Sequence, residues 1–281
     1  MRDHYGNGIG RLDDLIRYLE IKMERNDPYN DNLYLEELLR LLECIWLRYG
    51  NIRTVASYLL MGNFNDRKFN YKEDNKWNEK KKKIAEHFEE MERLYTHSKK
   101  RHLISLEYVD KDPVLIVGAP DGLNFEGNTN KVARIYEIKT QDVFYTIRSY
   151  EGFIKKISDK IRLASNQLQL YKYILDRTAG FGLIGKIVRV ELHGTLYFHS
   201  EDEEYLYSAK RIIRQNLNRI IRDADKDNAY NLSFKEEGKT YINGENLYYF
   251  KISFRVRYDE RVVKNYLKNL DKLFMSIGIG G

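Results

Sequence analysis

Gly118-Ala119-Pro120-Asp121-Gly122, followed sixteen residues after Asp121 by Glu137-Ile138-Lys139, is the stretch on which the reading of the fold turns. It sits among apolar runs of strand character. Val114 to Val117 precedes it, and a hairpin joins Gly122-Leu123-Asn124-Phe125 to Val132 to Ile138 through Glu126-Gly127-Asn128-Thr129-Asn130. In such a hairpin Asp121 and Glu137 point to the same side, near enough to hold one divalent cation between them. Glu137 and Lys139 are two apart and project from one strand face. Hard carboxylate oxygens suit Mg²⁺ or Mn²⁺, and the neighbouring lysine can hold or activate a water that attacks a phosphodiester. Each part also has a plainer account. Asp-Gly is a common turn dipeptide, Glu137 and Lys139 suit a solvated strand face, and acid-x-Lys occurs six times in the chain. Glu20-Ile21-Lys22 repeats the same three letters, but in a helical pattern with no Pro-Asp strand end before it.

Upstream, Ile84, Phe88, Met91 and Tyr95 form one stripe of a helix over Glu79 to Tyr95. Leu103 to Val109 then reads as a strand turned by Asp110-Lys111-Asp112-Pro113. Downstream come a helix from Ser165 to Arg177, an alternating strand from Lys186 to Phe198 and an amphipathic helix from Glu203 to Ala224. A hairpin over Thr240 to Tyr258 and a last helix over Arg261 to Met275 complete the chain. The first third is helical: Leu12, Leu15, Ile16 and Leu19 keep helical spacing, and Tyr34 to Tyr49 is strongly apolar and stops at Gly50. Asn51 to Leu60 reads as a third helix, and Gly50 to Ala56 bears a faint likeness to a helix-turn-helix. Met61 to Asn78 reads as a loop or lobe boundary in which Lys68, Tyr71, Lys72 and Trp77 can meet single strands by charge and stacking. The pattern predicts an α/β fold, a mixed central β-sheet flanked by helices, with a helical N-terminal lobe at residues 1–78 and the core at 79–281.

Composition sets the bounds. With 281 residues the chain can bury a full core. At 42% hydrophobic and 32% charged it is too apolar for wholesale disorder and too charged for a membrane protein. Its apolar runs are too short to span a bilayer, and the start, Met-Arg-Asp-His-Tyr-Gly, lacks the apolar core of a secretion signal. A lone cysteine, Cys44, excludes an internal disulfide framework, a cysteine zinc site and a cysteine-held iron–sulfur cluster. The expectation is a cytoplasmic protein. The net charge of +6 is uneven: residues 1–50 carry 7 Lys/Arg against 10 Asp/Glu, leaving +9 for the remainder. A basic face is the expected footprint of a polyanion, and also of an ordinary solvated surface.

With these motifs the chain resembles the PD-(D/E)XK nuclease superfamily, Pro120-Asp121 and Glu137-Ile138-Lys139 supplying its two core motifs. More narrowly it looks like the RecB-like branch, which includes CRISPR-associated exonucleases and archaeal viral nucleases. Gln167-Leu168-Gln169-Leu170-Tyr171 fits that branch's Gln-x-x-x-Tyr motif, and His87, 34 residues before Asp121, fits its helical histidine. The resemblance covers roughly Lys80 to Arg177 and departs from many relatives in having no cluster-ligating cysteines. It implies a restriction-endonuclease-like core and metal-dependent cleavage of DNA, single-stranded or at duplex ends. It further implies Mg²⁺ or Mn²⁺ on His87, Asp121, Glu137 and the carbonyl of Ile138, with no iron–sulfur cluster. Lys139 would position the nucleophilic water, while Gln167 and Tyr171 would support substrate or the metal's outer shell. Glu86, Glu89 and Glu90 offer carboxylates in place of His87 if the helix register differs. Lys155, Lys156, Lys160 and Arg162, just ahead of the Gln-x-x-x-Tyr helix, are candidate phosphate contacts. Two alternatives stand beside this: a non-catalytic nucleic-acid-binding protein that keeps the fold, and a structure-selective resolvase or RNA endonuclease of the same superfamily.

Overall fold

A computed structural model describes residues 9–24, 31–61, 75–127, 129–143, 149–185, 189–225, 229–242 and 244–276. Its elements run β1 (Ile9–Arg11), α1 (Leu12–Glu24), α2 (Asn32–Tyr49), β2 (Arg53–Ala56), a 3₁₀ turn (Ser57–Met61), α3 (Asn75–Thr96), β3 (Leu103–Val109) and β4 (Asp112–Gly118). Then follow β5 (Gly122–Phe125), β6 (Val132–Asp142), α4 (Tyr150–Gly180), β7 (Glu191–Ser200), α5 (Glu203–Gln215), α6 (Leu217–Asp225), β8 (Ala229–Ile242), β9 (Glu245–Val256), α7 (Glu260–Leu267) and α8 (Asn269–Ser276). The fold is α/β with mixed sheets flanked by helices. None of the described helices is long and apolar enough to cross a membrane.

The strands form two sheets, ordered β1-β2-β4-β3 and β5-β6-β7-β9-β8. β4 ends at Gly118 and β5 begins at Gly122, so Ala119-Pro120-Asp121 carries the chain from one sheet into the other. Proline has no N–H to give a ladder, which suits it to a point where pairing stops. β3 and β4 form the expected antiparallel hairpin, with Asp110 at a positive φ of 57° in its turn. β5 and β6 form the second hairpin, and β6 and β7 run parallel with α4 as their crossover.

α4 is the beam of the molecule. Ser149 caps it by accepting the Gly152 N–H at 3.2 Å. At ~1.5 Å per residue its 31 residues span ~46 Å. Phe153, Ile154, Ile157, Ile161, Leu168, Ile174 and Leu175 line its buried side and pack against both sheets, on β3, β4, β6 and β7. Near its C-terminal end the Thr178 hydroxyl accepts the Ile104 N–H of β3 at 3.0 Å. α3 covers the opposite face of the five-stranded sheet, where Phe88 stacks on Tyr197 with centroids 4.6 Å apart.

Several expectations change. Asn51 to Leu60 is not a helix. Arg53-Thr54-Val55-Ala56 is a strand whose β-branched residues pair in parallel with Val114 to Val117, and a 3₁₀ turn follows. This removes the helix-turn-helix likeness and threads the helical N-terminal segment into the first sheet through β1 and β2. The helix expected at Ser165 starts at Tyr150, so Lys155, Lys156, Lys160 and Arg162 lie on it, not ahead of it. The helix over Glu203 to Ala224 breaks at Asn216, and the last helix breaks at Lys268. The stretch with Lys68, Tyr71 and Lys72 lies outside the described residues, and α3 begins at Asn75.

Candidate functional site

The site lies where the two sheets meet. Because Gly122 pairs with Tyr136, Asp121 falls opposite the next step of β6, and its Oδ2 accepts the Ile138 N–H at 2.7 Å. This bond fixes the carboxylate across the open end of the hairpin. A residue's N–H and C=O leave a strand toward the same edge, so the Ile138 carbonyl also faces Asp121, beyond the last β5 pair. Arg93 of α3 donates to the Asp121 carbonyl at 3.3 Å. Gly122 is required here: a Cβ would collide with the Ser98 side chain.

Glu137 is 2% exposed and hydrogen-bonded through Oε1 to Lys139 Nζ, whose side chain is 21% exposed. Burial, and then Asp121, push the Glu137 carboxyl up to about 8 against the pull of Lys139. Burial alone would lower Lys139, but Glu137 and Asp121 outweigh it and raise the ammonium above its usual value. Glu89 of α3 belongs to the same field. Burial and then Asp121 push it up to about 7, opposed by Lys100, Arg93 and Lys139; Arg93 Nη1 stands 3.7 Å from its Oε2. Burial and a neighbouring negative charge both disfavour the ionised carboxylate, which is why Glu137 and Glu89 are pushed up beside Asp121.

From below, α4 presents Gln167 and Tyr171. Tyr171 packs against Gly118 at the end of β4, where a Cβ would come within 3.1 Å of its ring. Burial first, then Glu137 and Asp121, raise the Tyr171 hydroxyl well above its ordinary value, while a hydrogen bond from Gln167 opposes them. Two buried acceptors in this cluster have no donor, Glu137 Oε2 and Gln167 Oε1. A buried oxygen without a partner is costly, and a cation, or a water held by one, would offset that cost.

The structure thus gathers Asp121, Glu137, Ile138, Lys139, Gln167 and Tyr171. It does not bring His87 among them. His87 Nε2 is 2.8 Å from Thr240 Oγ1 on β8, and β8 lies three strands from β6. Two positions further along α3, Glu89 has the site-facing register that His87 lacks. Its signal in the sequence was the i, i+4 pairing with Arg93. Lys160 donates to the Thr140 carbonyl at 2.6 Å beside this group. Burial, followed by Lys139, Lys156 and Lys81, pulls its ammonium down to about 8. Lys155 and Lys156 are exposed on α4, and Arg162 is exposed and paired with Asp159. Among the described residues no three His, Cys, Asp or Glu side chains are grouped as a ready-made metal site. Compared with known proteins, the chain matches no family model, no curated protein and no solved structure.

Proposed function

We propose that the chain is a Mg²⁺- or Mn²⁺-dependent deoxyribonuclease that hydrolyses phosphodiester bonds in single-stranded DNA or at duplex ends. One observation carries the reading: Asp121, locked onto the Ile138 N–H, faces a buried Glu137 that bonds Lys139 with one oxygen and leaves the other unpaired. That unpaired oxygen and the crowding of carboxyl groups suit a divalent cation, held by Asp121, Glu137 and the Ile138 carbonyl. When bound, the cation supplies charge stabilisation at the scissile phosphate. Lys139, more exposed than Glu137 and bonded to its Oε1, orients the attacking water. The unpartnered Gln167 amide oxygen accepts from that water, and the Tyr171 hydroxyl donates to the water or to a phosphate oxygen. Lys155, Lys156, Lys160 and Arg162 form the basic flank of α4 on which the polynucleotide backbone lies. Glu89, on the helix where the RecB-like resemblance placed His87, adds its charge to the field of Asp121 rather than a third ligand.

A second reading, a nucleic-acid-binding protein without turnover, is favoured by the Lys139–Glu137 bond and by the lack of a three-ligand grouping among the described residues. A substrate panel separates the two. Single-stranded, duplex, branched DNA and RNA are incubated with Mn²⁺ or Mg²⁺, with chelator, and with Asp121→Ala. Cleavage of DNA that chelator and Asp121→Ala both abolish supports the nuclease. Salt-dependent binding with no cleavage by the wild type supports the second reading.

A further inference from the structure

The far end of the five-stranded sheet carries another polar concavity, on the face away from α4. Between Tyr230↔Arg255 and Ser233↔Ser253 the β8–β9 register shifts, so Asn231 and Leu232 stand opposite Phe254 alone. Asn231 takes a positive φ of 54°, a left-handed conformation that asparagine tolerates better than most residues. Such bulges re-aim side chains and interrupt pairing. Beside this one lies a cavity of about 510 Å³ lined by His193, Ser233, Lys235, Ser253 and Arg255 together with the bulge residues Asn231 and Leu232 and their partner Phe254.

Strand alternation puts His193, Ser233, Lys235, Ser253 and Arg255 on the face shared with Tyr136 and Tyr197, whereas Glu137 points to the α4 face. α3 covers the Ile138, Tyr197 and Tyr249 part of that face, and the concavity lies beyond it. Its charge is unbalanced. Among the described residues Glu191 is the one carboxylate paired with Arg134 at 3.2 Å, His193 at 3.0 Å and Arg255 at 3.5 Å. Lys235 is exposed and makes no ion pair among the described residues. Two serine hydroxyls, an imidazole, a guanidinium and an ammonium therefore share this face with a net positive charge, and Asn231 lines the cavity from the bulge. Those are donors for an oxyanion. The volume falls in the ordinary range for a small-molecule pocket, ~300–1,000 Å³. It exceeds what a bare phosphate ion fills.

We infer that this concavity binds a nucleotide phosphate, with Arg255 and Lys235 as its charged contacts and Ser233 and Ser253 as its neutral donors. The nucleotide is either free or part of a polynucleotide passing over the sheet, and the polynucleotide source rests on the function proposed above. Because the site and Glu137 lie on opposite faces, occupancy and cleavage are separable.

His193 reports on it. Burial holds its imidazole below the usual value, Glu191 pulls it up, and Arg255 and Arg134 push it down. Tyr136 from β6 packs on its ring at 5.4 Å, and Lys235 lines the same cavity from β8. An added phosphate dianion favours the protonated ring. The test is NMR of the full chain with ¹⁵N-labelled histidine in chelator, titrated with a deoxynucleoside monophosphate or with a short single-stranded oligonucleotide. At least one ligand should shift the His193 signals, and the double variant R255Q/K235Q should bind it about tenfold more weakly or worse. Saturation at lower oligonucleotide than monophosphate concentration assigns the site to a polynucleotide; the reverse order assigns it to a free nucleotide. His193 unmoved by both ligands, or equal affinity in R255Q/K235Q, overturns the inference. Asp121→Ala keeps the His193 response if the two sites are separate. Loss of cleavage in that variant with no His193 response in the wild type would leave the nuclease reading standing and this one fallen. A response without cleavage would do the opposite.

Discussion

At the scale of single residues, the centre of the molecule is a set of carboxyl groups held in conditions that disfavour their charge. Glu137 is raised from 4.5 to about 8 by burial and by Asp121, so the folded chain keeps a proton that the unfolded chain releases. The stabilisation from this group is present in full below about pH 4.5 and is lost as pH rises toward 8. In chelator, stability measured by denaturant unfolding should therefore fall across that window, and Glu137→Gln should flatten the fall; an unchanged pH slope in the variant would contradict it. Lys139 has a separate consequence. If Lys139 orients water as proposed, Lys139→Ala should lower cleavage by about 10²–10⁴-fold, within the range for one positioned proton-transfer or orienting group, with the fold kept. The Asp121, Glu137 and Lys139 set was legible in the sequence because strand spacing fixes which side chains share a face. The choice between His87 and Glu89 was not. On a helix, a shift of two residues turns a side chain by about 200°, and the stripe of Ile84, Phe88 and Met91 fixes that turn only once its packing partners on β7 and β9 are known.

At the scale of elements, both hairpins around Asp121 were readable because alternation and turn residues are local. β2 was hidden. Its four residues have no turn signal of their own and become a strand only by pairing with β4, some sixty residues away in the chain. The first half of α4 was hidden by its charge: Lys155, Lys156, Asp159, Lys160 and Arg162 interrupt the apolar stripe that Phe153, Ile154, Ile157 and Ile161 carry. Glycine marks where elements approach too closely for a side chain. Gly194 of β7 is the parallel partner of Glu137, and a Cβ there would enter the Phe254 ring. Gly194→Ala should destabilise the fold by about 1–3 kcal/mol, the usual cost of overpacking, as read by thermal or denaturant melting. A variant as stable as the wild type would show that β7 and β9 are looser than drawn.

For the whole molecule, α4 ties two sheets together and the site occupies the seam between them. The N-terminal segment is joined to that frame by β2 on β4 and by Asp31, which caps α2 and pairs with Arg101 Nη2 at 2.5 Å, both side chains at most 10% exposed. Burial alone would raise the Asp31 carboxyl, but Arg101 and Lys99 outweigh it and hold it below 3.8. Its contribution is thus present above that pH and lost as pH falls further. Asp31→Ala leaves Arg101 buried without its anion and should cost about 3–5 kcal/mol at neutral pH, with most of that difference gone in strong acid. Equal stability of variant and wild type at pH 7 would separate the N-terminal segment energetically from the rest.

The central claim is that the seam between the sheets is a cation-dependent phosphodiester site. Its most direct measurement is the single-turnover rate of cleavage of end-labelled single-stranded DNA in Mn²⁺, wild type against Glu137→Gln, with melting curves for both. The account predicts a loss of at least ~10²-fold in rate while the variant remains folded. Equal rates in the two proteins, both abolished by chelator, would place the chemistry elsewhere.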